Sequence, residues 1–331
     1  MRFVTFEIET PLGRTSRAGV LTGADHVVDL NLAYQEVIDG EVGAQRAAQL
    51  AAAIVPPDLL TILANGSLAR DAVAQALEVL GPSGLQPGRR GSHGAVVVHR
   101  LDDVRLLAPI PRPTSLRDCS AYEDHVRNAS RGTVPPKWYD IPAYYKGNPD
   151  AVIGTRADVA LADVSSKVDY ELEYAVVIGR RGVDLDEKHV ARHIAGFMVF
   201  NDVSIRDLQF REMSIGLGPA KGKDLDGSNV LGPCLVTPDD WDPHADHTMV
   251  ARVNGEEWSN GSTSSIYHPV ERIVSYISHR ETLNVGDVIG TGTVGGGSGL
   301  EVGRYPGAGD EVELEIDGLG VLTNRWVAAG S

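Results

Sequence analysis

The segment Asp169–Gly179 (DYELEYAVVIG) constrains the fold of this chain more than any other segment. Its β-branched and aromatic residues favour a strand, in which alternate side chains project from the same face. Glu171 and Glu173 would therefore lie side by side, and the apolar run after them predicts a strand buried on both faces. Two carboxylates this close repel unless a proton or a cation lies between them. One interpretation is a solvated face of an edge strand; the other, favoured by the apolar run, is a site for a hard cation with oxygen ligands.

Charge and composition argue against several classes of function. The chain has 331 residues, of which 30 are basic and 45 acidic, so its formal net charge is −15. Nucleic acid and anionic membranes are therefore not expected as partners, because both require positive potential. Two cysteines, Cys119 and Cys234, provide neither a disulfide framework nor a cysteine-based zinc site. The chain also lacks an apolar run of signal-peptide or membrane-span type, so we expect a soluble cytoplasmic protein.

The chain divides into a small N-terminal part and a larger, strand-rich part. Short strands are predicted up to about residue 38, followed by helices over Val42–Ile54 and Ser67–Leu80. A linker rich in glycine and proline spans residues 81–91, and we predict an N-terminal domain over residues 1–95 and a catalytic domain over residues 96–331. Glycine and proline fall between short strands rather than between regular βα units, which favours an irregular mixed β-fold. Further helices are expected near Ala121–Ala129, Glu187–Ala195, Ser204–Phe210 and Val270–Ile277.

Two more acidic residues are candidates for a site. Asp202 follows the predicted strand Phe197–Phe200, and Asp118 precedes a predicted helix, so each could also be a helix N-cap. His125 follows Asp118 by seven residues, which would place both on the same face of a helix. A lone histidine is usually an ordinary surface or core residue, but one near a possible metal ligand is a candidate base.

The segment Gly290–Gly299 (GTGTVGGGSG) literally satisfies the pattern GxGxxG. We reject a dinucleotide site, because no helix can begin within Gly295–Gly299 and no βαβ unit surrounds the segment. One remaining interpretation is a backbone that approaches a ligand closely and offers the hydroxyls of Thr291 and Thr293. A plain flexible loop is the other.

Taken in order, these segments resemble the fumarylacetoacetate hydrolase family over about residues 105–328. The resemblance implies an α+β, β-rich protein with a mixed β-roll catalytic domain after a small α+β N-terminal domain. It also implies a homodimer that holds a divalent cation, Mg²⁺ or alternatively Mn²⁺ or Ca²⁺. The motifs that carry it are the Asp118 and His125 spacing and residues 171–179, 201–209 (NDVSIRDLQ), 218–223 (GPAKGK), 226–233 and 286–293.

The resemblance implies roles for individual residues. Its cation ligands would be Asp118, Glu171, Glu173 and Asp202. Its catalytic residues would be His125, which activates water, Glu301, which orients His125, and Lys223 and Arg206, which stabilise an oxyanion. Its substrate contacts would be Gln209, Tyr145 and Thr293.

Glu301 matters for the type of reaction. Shorter family members have the dyad glutamate three residues after the histidine, and that position is Asn128 here. We therefore predict a metal-dependent hydrolase that cleaves a C–C bond in a small anionic dicarbonyl, a β-diketone or acylpyruvate, in aromatic or ring-compound catabolism. Ser120 and Met213 stand where the fumarylacetoacetate-cleaving enzyme has tyrosines, so we expect a reshaped pocket. Two alternatives stay open: a 2-oxo acid decarboxylase, isomerase or hydratase on the same scaffold, and a non-catalytic β-roll binding module.

The segment Arg127–Gly147 contains several prolines and basic residues. Its composition is typical of a mobile cover that orders over an anionic substrate, with positive charge from residues that include Arg127 and Arg131. A static surface loop is the alternative.

Overall fold

The structure, a computed structural model, describes residues 1–23, 25–130, 132–161, 165 and 167–328. Within this part of the chain the strands form a 12-stranded sheet, a five-stranded sheet and a two-stranded ladder. The strands are β1 (Arg2–Thr10), β2 (Gly13–Thr22), β3 (His26–Asp29), β4 (Val98–Arg100), β5 (Arg105–Leu106), β6 (Ser115–Cys119), β7 (Tyr144–Gly147), β8 (Val152–Ile153), β9 (Asp158–Ala160), β10 (Val168–Asp169), β11 (Leu172–Ile178), β12 (Ile194–Asp202), β13 (Ser204–Ile205), β14 (Asn229–Val236), β15 (Thr248–Val253), β16 (Glu256–Ser262), β17 (Asp287–Gly290), β18 (Glu311–Ile316) and β19 (Gly320–Val327).

Helices cover one face of the large sheet and connect its strands. The α-helices are α1 (Leu30–Val42), α2 (Ala44–Ile54), α3 (Leu59–Ala64), α4 (Gly66–Gly84), α5 (Glu123–Ala129), α6 (Arg206–Met213), α7 (Val270–Ser278) and α8 (Gly299–Val302). Short 3₁₀ segments span Leu101–Asp103, Pro136–Tyr139, Pro149–Ala151, Glu187–His193 and Thr263–Ser265. The α+β, strand-rich class predicted from the sequence is confirmed. Among the described residues, no helix combines the length and apolarity needed to cross a membrane.

The large sheet brings distant parts of the chain together. Its order is β4-β3-β2-β1-β14-β12-β11-β17-β6-β7, with β5 on β1 and β8 on β14. The strands β12 and β17 flank β11 in antiparallel pairing, and β6 pairs in parallel with β17. Residues near 118, 173 and 202 therefore lie on closely neighbouring strands.

Two hydrophobic cores cover the two faces of the central strand β11. Every residue of β11 is buried, which confirms the prediction of a strand buried on both faces. Tyr174 and Val176 belong to the core shared with the five-stranded sheet, whereas Ala175 and Val177 belong to the core covered by α1–α4. The alternation of β11 thus joins three layers: helices, large sheet and small sheet.

The N-terminal strands continue the same large sheet. Arg2 and Phe3 of β1 pair with Val236 and Leu235 of β14. Phe3 also belongs to the core that contains Val177. The sheet and the core therefore run across the predicted domain boundary at residue 95, and that boundary stays a prediction.

Several predicted elements differ from those observed. Residues 30–42 form α1 rather than strand, because the Asp29 side chain accepts a hydrogen bond from the Leu32 N–H and caps the helix. Gly43, at φ 78°, separates α1 from α2, so the predicted helix Val42–Ile54 begins two residues later. The predicted helix Glu187–Ala195 is a 3₁₀ segment. A helix does begin at Gly299, contrary to the expectation for the glycine-rich segment.

Candidate active site

Three buried carboxylates converge between neighbouring strands. Asp118 on β6, Glu173 on β11 and Asp202 at the end of β12 each offer an oxygen, and these oxygens lie within 4.8 Å of one another. We call these residues the carboxylate triad. Gly290 on β17 pairs with Asp118, and a Cβ at Gly290 would lie 2.3 Å from the Asp118 Oδ1. A glycine is therefore required where the acidic side chains meet.

The triad is electrostatically unfavourable without a cation. Burial, and repulsion by Asp202, raise the pKa of Asp118 well above its usual range. Burial, and repulsion by Asp118, do the same to the pKa of Glu173. Burial raises the pKa of Asp202 to about 6, although Lys223 opposes this shift. Among the described residues, the buried Oδ1 atoms of Asp118 and Asp202 have no hydrogen-bond partner. Unpaired carboxylate oxygens that converge are the ligands that Mg²⁺ or Mn²⁺ prefers, so the triad could hold a divalent cation.

Glu171, the fourth predicted ligand, contacts cationic side chains instead. The Arg206 Nη1 donates to the Glu171 Oε1 at 2.6 Å, and the Lys223 Nζ donates to the Glu171 Oε2 at 2.5 Å. Burial alone would raise the pKa of Glu171, but Arg206, Lys223 and His125 outweigh burial and lower it. The Lys223 Nζ also donates to the Asp202 Oδ2 at 2.5 Å, which links Glu171 to the triad. A ligand role for Glu171 stays a prediction.

His125 lies between two carboxylates. Its Nδ1 is 2.8 Å from the Glu301 Oε2, and its Nε2 is 3.8 Å from the Glu171 Oε1. The side chain of Glu301 is two per cent exposed, and the hydrogen bond with His125 lowers its pKa against the effect of burial. A proton on Nδ1, donated to Glu301, leaves Nε2 of a neutral imidazole free to act as a base.

Four hydrogen bonds fix the Glu301 carboxylate. Besides His125, it accepts from the Gly296 N–H, the Ser298 Oγ and the Asn128 Nδ2, each at 2.9 Å. Asn128 occupies the position where shorter family members are expected to have their dyad glutamate. Here it supports a glutamate supplied by α8.

The three predicted substrate contacts all hold site carboxylates or their partners. The Tyr145 hydroxyl donates to the Asp202 Oδ2 at 2.8 Å, and the Thr293 hydroxyl donates to the Glu173 Oε1 at 3.1 Å. The Gln209 Oε1 accepts from Arg206 at 3.1 Å. Contacts between these side chains and substrate stay predictions.

Two interpretations of the acidic residues are wrong. Asp118 lies in β6 and does not cap α5, whose N-cap is Tyr122. It therefore shares no helix face with His125, and the two approach the same site from a strand and a helix. Asp202 does not cap α6 either, because that helix begins at Arg206 with Ile205 as its N-cap.

The glycine-rich segment Gly290–Gly299 packs closely against β6 and α5. A Cβ at Gly292 would lie 2.5 Å from the Cys119 carbonyl oxygen, and one at Gly295 would lie 2.7 Å from the Asp124 Cβ. The Thr291 hydroxyl donates to the Tyr174 carbonyl at 2.9 Å. The glycines thus allow the loop that carries Thr293 to pack directly on the end of β6 and the first turn of α5.

Two described basic residues of the predicted cover, Arg127 and Lys146, pair with carboxylates outside the triad. Arg127 pairs with Glu123, and the Lys146 Nζ is 3.4 Å from Glu281. Arg131 lies outside the described residues. Trp138, in the middle of the segment, is seven per cent exposed and donates to the Ser120 carbonyl. Closure of this segment over a substrate stays a prediction.

Asp169 is a site residue that the sequence analysis missed. It is fully buried, and the Arg206 Nε donates to its Oδ2 at 2.6 Å. Strand alternation from Glu173 through Glu171 to Asp169 offered the signal, because residues two apart share a face.

Comparison with known proteins identifies the family. Residues 115–327 match the family described as "Fumarylacetoacetate (FAA) hydrolase C-terminal". Oxaloacetate tautomerase YisK of Bacillus subtilis is 32% identical over 69% of this chain and 75% of its own length. The mitochondrial oxaloacetate tautomerase FAHD2A of Homo sapiens is 36% identical over 75% of this chain and 77% of its own length.

Solved structures agree with this assignment. The fumarylacetoacetate hydrolase of Exiguobacterium antarcticum superposes with a TM-score of 0.69 at 28% identity, covering 98% of this chain and 99% of that chain. The 2-hydroxyhepta-2,4-diene-1,7-dioate isomerase of Mycobacterium marinum gives 0.66 at 26% identity and covers both chains fully, at 100% each. The chain belongs to the fumarylacetoacetate hydrolase family and is an enzyme of that superfamily.

Proposed function

We propose that this enzyme interconverts the keto and enol forms of a small 2-oxo dicarboxylate of the oxaloacetate type. The observation that carries the proposal is a histidine held by Glu301 through Nδ1, with Nε2 directed towards the buried carboxylates. Relatives at 32% and 36% identity bear the name oxaloacetate tautomerase, which supports this reaction over C–C bond hydrolysis.

The proposed reaction is a proton transfer next to a carbonyl. Asp118, Glu173 and Asp202 would hold a divalent cation, Mg²⁺ or Mn²⁺, which would supply Lewis-acid polarisation of the carbonyl of a 2-oxo acid. The His125 Nε2 takes a proton from the carbon beside that carbonyl, and the electron pair of the C–H bond becomes the C=C bond of the enolate. Glu301 stabilises the imidazolium, and Lys223, which contacts Asp202 of the triad, would stabilise the developing oxyanion. The imidazolium of His125 gives its proton back to that oxygen, directly or through a water, which completes the enol and restores the neutral base.

Hydrolysis of a β-diketone or acylpyruvate is the second candidate. It is favoured by the origin of the dyad glutamate, which comes from α8 after the Thr-Gly loop, as expected for the family members that cleave fumarylacetoacetate. The same His125 would then take its proton from water. Tautomerisation makes fewer demands on the site, since it needs neither a positioned water nor a leaving group.

One experiment separates the two candidates. Purified enzyme loaded with Mg²⁺ or Mn²⁺ is given oxaloacetate in its enol form, and formation of the keto form is followed with a keto-specific dehydrogenase. We expect acceleration over the metal ion alone, and no cleavage products from a panel of acylpyruvates. Cleavage of an acylpyruvate with no effect on oxaloacetate would replace tautomerisation by hydrolysis.

A matched pair of variants tests the role of His125. His125→Gln should abolish the acceleration. His244→Gln should leave it unchanged, because His244 forms a similar pair with Glu271, at 3.0 Å, that is exposed and lies outside the site. Homodimer formation and a cytoplasmic location stay predictions, open to light scattering and to cell fractionation respectively.

A further inference from the structure

Asp169 connects two parts of the site that are far apart in sequence. Its Oδ1 accepts from the Gly299 N–H at 2.7 Å, and its Oδ2 accepts from the Leu300 N–H at 2.9 Å. Its Oδ2 also accepts from the Arg206 Nε at 2.6 Å. The carboxylate therefore bonds the first turn of α8 on one side and a guanidinium on the other.

The bonds to α8 bear directly on Glu301, the next residue along the chain. The helix α8 has only four residues, and its N-cap, Ser298, makes no side-chain capping bond. The Asp169 carboxylate, contributed by β10, fulfils that capping function from a distant strand. A Cβ at Gly299 would lie 2.4 Å from the Asp169 Oδ1, so the close approach requires the glycine.

The hydrogen bond between Asp169 and Arg206 connects Asp169 to the Nε2 side of the His125 ring. The Arg206 Nη1 donates to Glu171, whose Oε1 is 3.8 Å from the His125 Nε2. Asp169 is thus connected to both sides of the His125 ring. It bonds Leu300, the neighbour of Glu301, which contacts the His125 Nδ1, and it bonds Arg206, which contacts Glu171 near the His125 Nε2. The partners of Asp169 in these hydrogen bonds are Arg206, Gly299 and Leu300, none of which belongs to the carboxylate triad.

We propose that Asp169 is a positioning residue that holds Glu301 against the Nδ1 of His125 through its hydrogen bonds to α8. The role rests on the proposed function, because it assigns to Asp169 the orientation of the base in that reaction. Asp169 acts through Glu301 and touches no reacting atom.

Asp169→Asn is the primary variant. The amide keeps the size of the carboxylate but replaces one acceptor oxygen by a donor, so at least one of the Gly299, Leu300 and Arg206 donors loses its acceptor. We expect kcat to fall by about 10-fold or more and KM to change by less than about 3-fold, because the loss concerns proton transfer rather than binding.

Asp29→Asn is the matched control. Asp29 is also fully buried, accepts two hydrogen bonds from Arg17 and caps α1 through the Leu32 N–H, far from His125 in the fold. The substitution Asp29→Asn should lower the melting temperature of the protein and leave kcat of the folded protein unchanged. A second variant, Gly299→Ala, would place a Cβ 2.4 Å from the Asp169 Oδ1 and 2.3 Å from the Arg304 carbonyl oxygen. It should shift the first turn of α8 without removing a polar group, and it should lower kcat in the same way as Asp169→Asn.

A double-mutant cycle with Glu301→Gln gives the decisive comparison. If Asp169 acts through Glu301, Asp169→Asn should lower kcat by less than about 3-fold in the Glu301→Gln background. An equal loss in both backgrounds would overturn the proposal, as would a folded Asp169→Asn protein with the kcat of Asp29→Asn.

A spectroscopic readout separates this proposal from the proposed reaction. The ¹⁵N shifts of the His125 ring, assigned by comparison with His125→Gln, should report a proton on Nδ1 in the wild type and a mixture of tautomers in Asp169→Asn. Absence of wild-type turnover would refute tautomerisation and leave this measurement valid. An unchanged tautomer in Asp169→Asn and in Gly299→Ala would refute the positioning role.

Discussion

Glu171 and Glu173 are two residues apart and both buried, yet their pKa values shift in opposite directions. Burial tends to raise the pKa of both, but Arg206 and Lys223 lower that of Glu171, whereas Asp118 raises that of Glu173 further. The site thus has an ion-paired half around Glu171 and an uncompensated half, the carboxylate triad. The comparison teaches that two glutamates on the same face of a strand can have different roles, because the charge of the neighbouring side chains determines the pKa of each.

The largest effect is expected at the pair formed by His125 and Glu301, which borders the ion-paired half through Glu171. Glu301→Gln keeps hydrogen bonding but removes the charge that stabilises the imidazolium, so turnover should fall by about 10²–10⁴-fold. His125→Ala should be at least as damaging, and the double variant little worse, because the two residues act as one unit. Steady-state kinetics on the substrate found by screening measures this. A silent Glu301→Gln beside an inactive His125→Ala would leave the base without its proposed partner.

The second largest effect is expected on the free energy of unfolding of the metal-free protein, which substitutions in the two halves of the site should change differently. Glu171→Gln leaves Arg206 and Lys223 buried with less negative charge, which should destabilise the protein by about 3–5 kcal/mol. Glu173→Gln relieves repulsion in the triad and should be neutral or stabilising. Urea unfolding in the presence of a chelator measures both. Equal destabilisation by both variants would contradict the division of the site.

In the presence of a cation, substitutions in the carboxylate triad should become the more damaging ones. Saturation with Mn²⁺ at about 100 times its dissociation constant should stabilise the wild type by about 2.7 kcal/mol. Asp118→Asn and Glu173→Gln should lose most of this gain, because each removes a triad ligand. Calorimetric titration with Mn²⁺, with Asp29→Asn as the control, measures the affinities directly. Unchanged binding in both triad variants would rule out the triad as the cation site.

The smallest effect is the pH dependence of the metal-free protein. The pKa of Asp202 is raised to about 6, so the folded state holds its proton more tightly than the unfolded state does. This contribution to stability is complete below the ordinary carboxyl pKa and is lost as the pH rises through about 6. Glu171, with its lowered pKa, contributes in the opposite sense, and its contribution is lost only as the pH falls below the ordinary carboxyl range.

Acidification from pH 7 to pH 5 should therefore stabilise the metal-free wild type, by about 1 kcal/mol. Asp202→Asn or bound Mn²⁺ should remove most of this gain. Thermal unfolding across that range measures it, and a loss of stability on acidification would contradict the raised pKa of Asp202.

Local sequence predicted the central strand well and the pairing of charges poorly. The apolar run after Glu173 is sufficient to specify β11, because burial on both faces depends on the residues of that strand alone. The partners of Glu171 are separated from it by 35 and 52 positions, so only the folded sheet brings them together. Asp118 was misread as a helix residue for the same reason, since β6 is defined by its pairing with β17.

The helix α1 illustrates a different limit. Its residues include an alternating apolar stretch that favours a strand, and the capping bond from Asp29 that starts the helix is a single local interaction. Strand alternation pointed to Asp169, but its role could not be predicted, because its partners, the N–H groups of α8 and the guanidinium of Arg206, are far away in sequence.

The continuity of the large sheet has a consequence for colloidal behaviour. A chain shortened to residues 96–331 would leave part of β14 without β1, and it would expose apolar side chains such as Leu235 that now pack in the core shared with Phe3. An unpaired strand edge beside exposed apolar surface is a template for pairing with another chain. The N-terminal strands therefore cover an edge of β14 that would otherwise be open to aggregation through strand pairing.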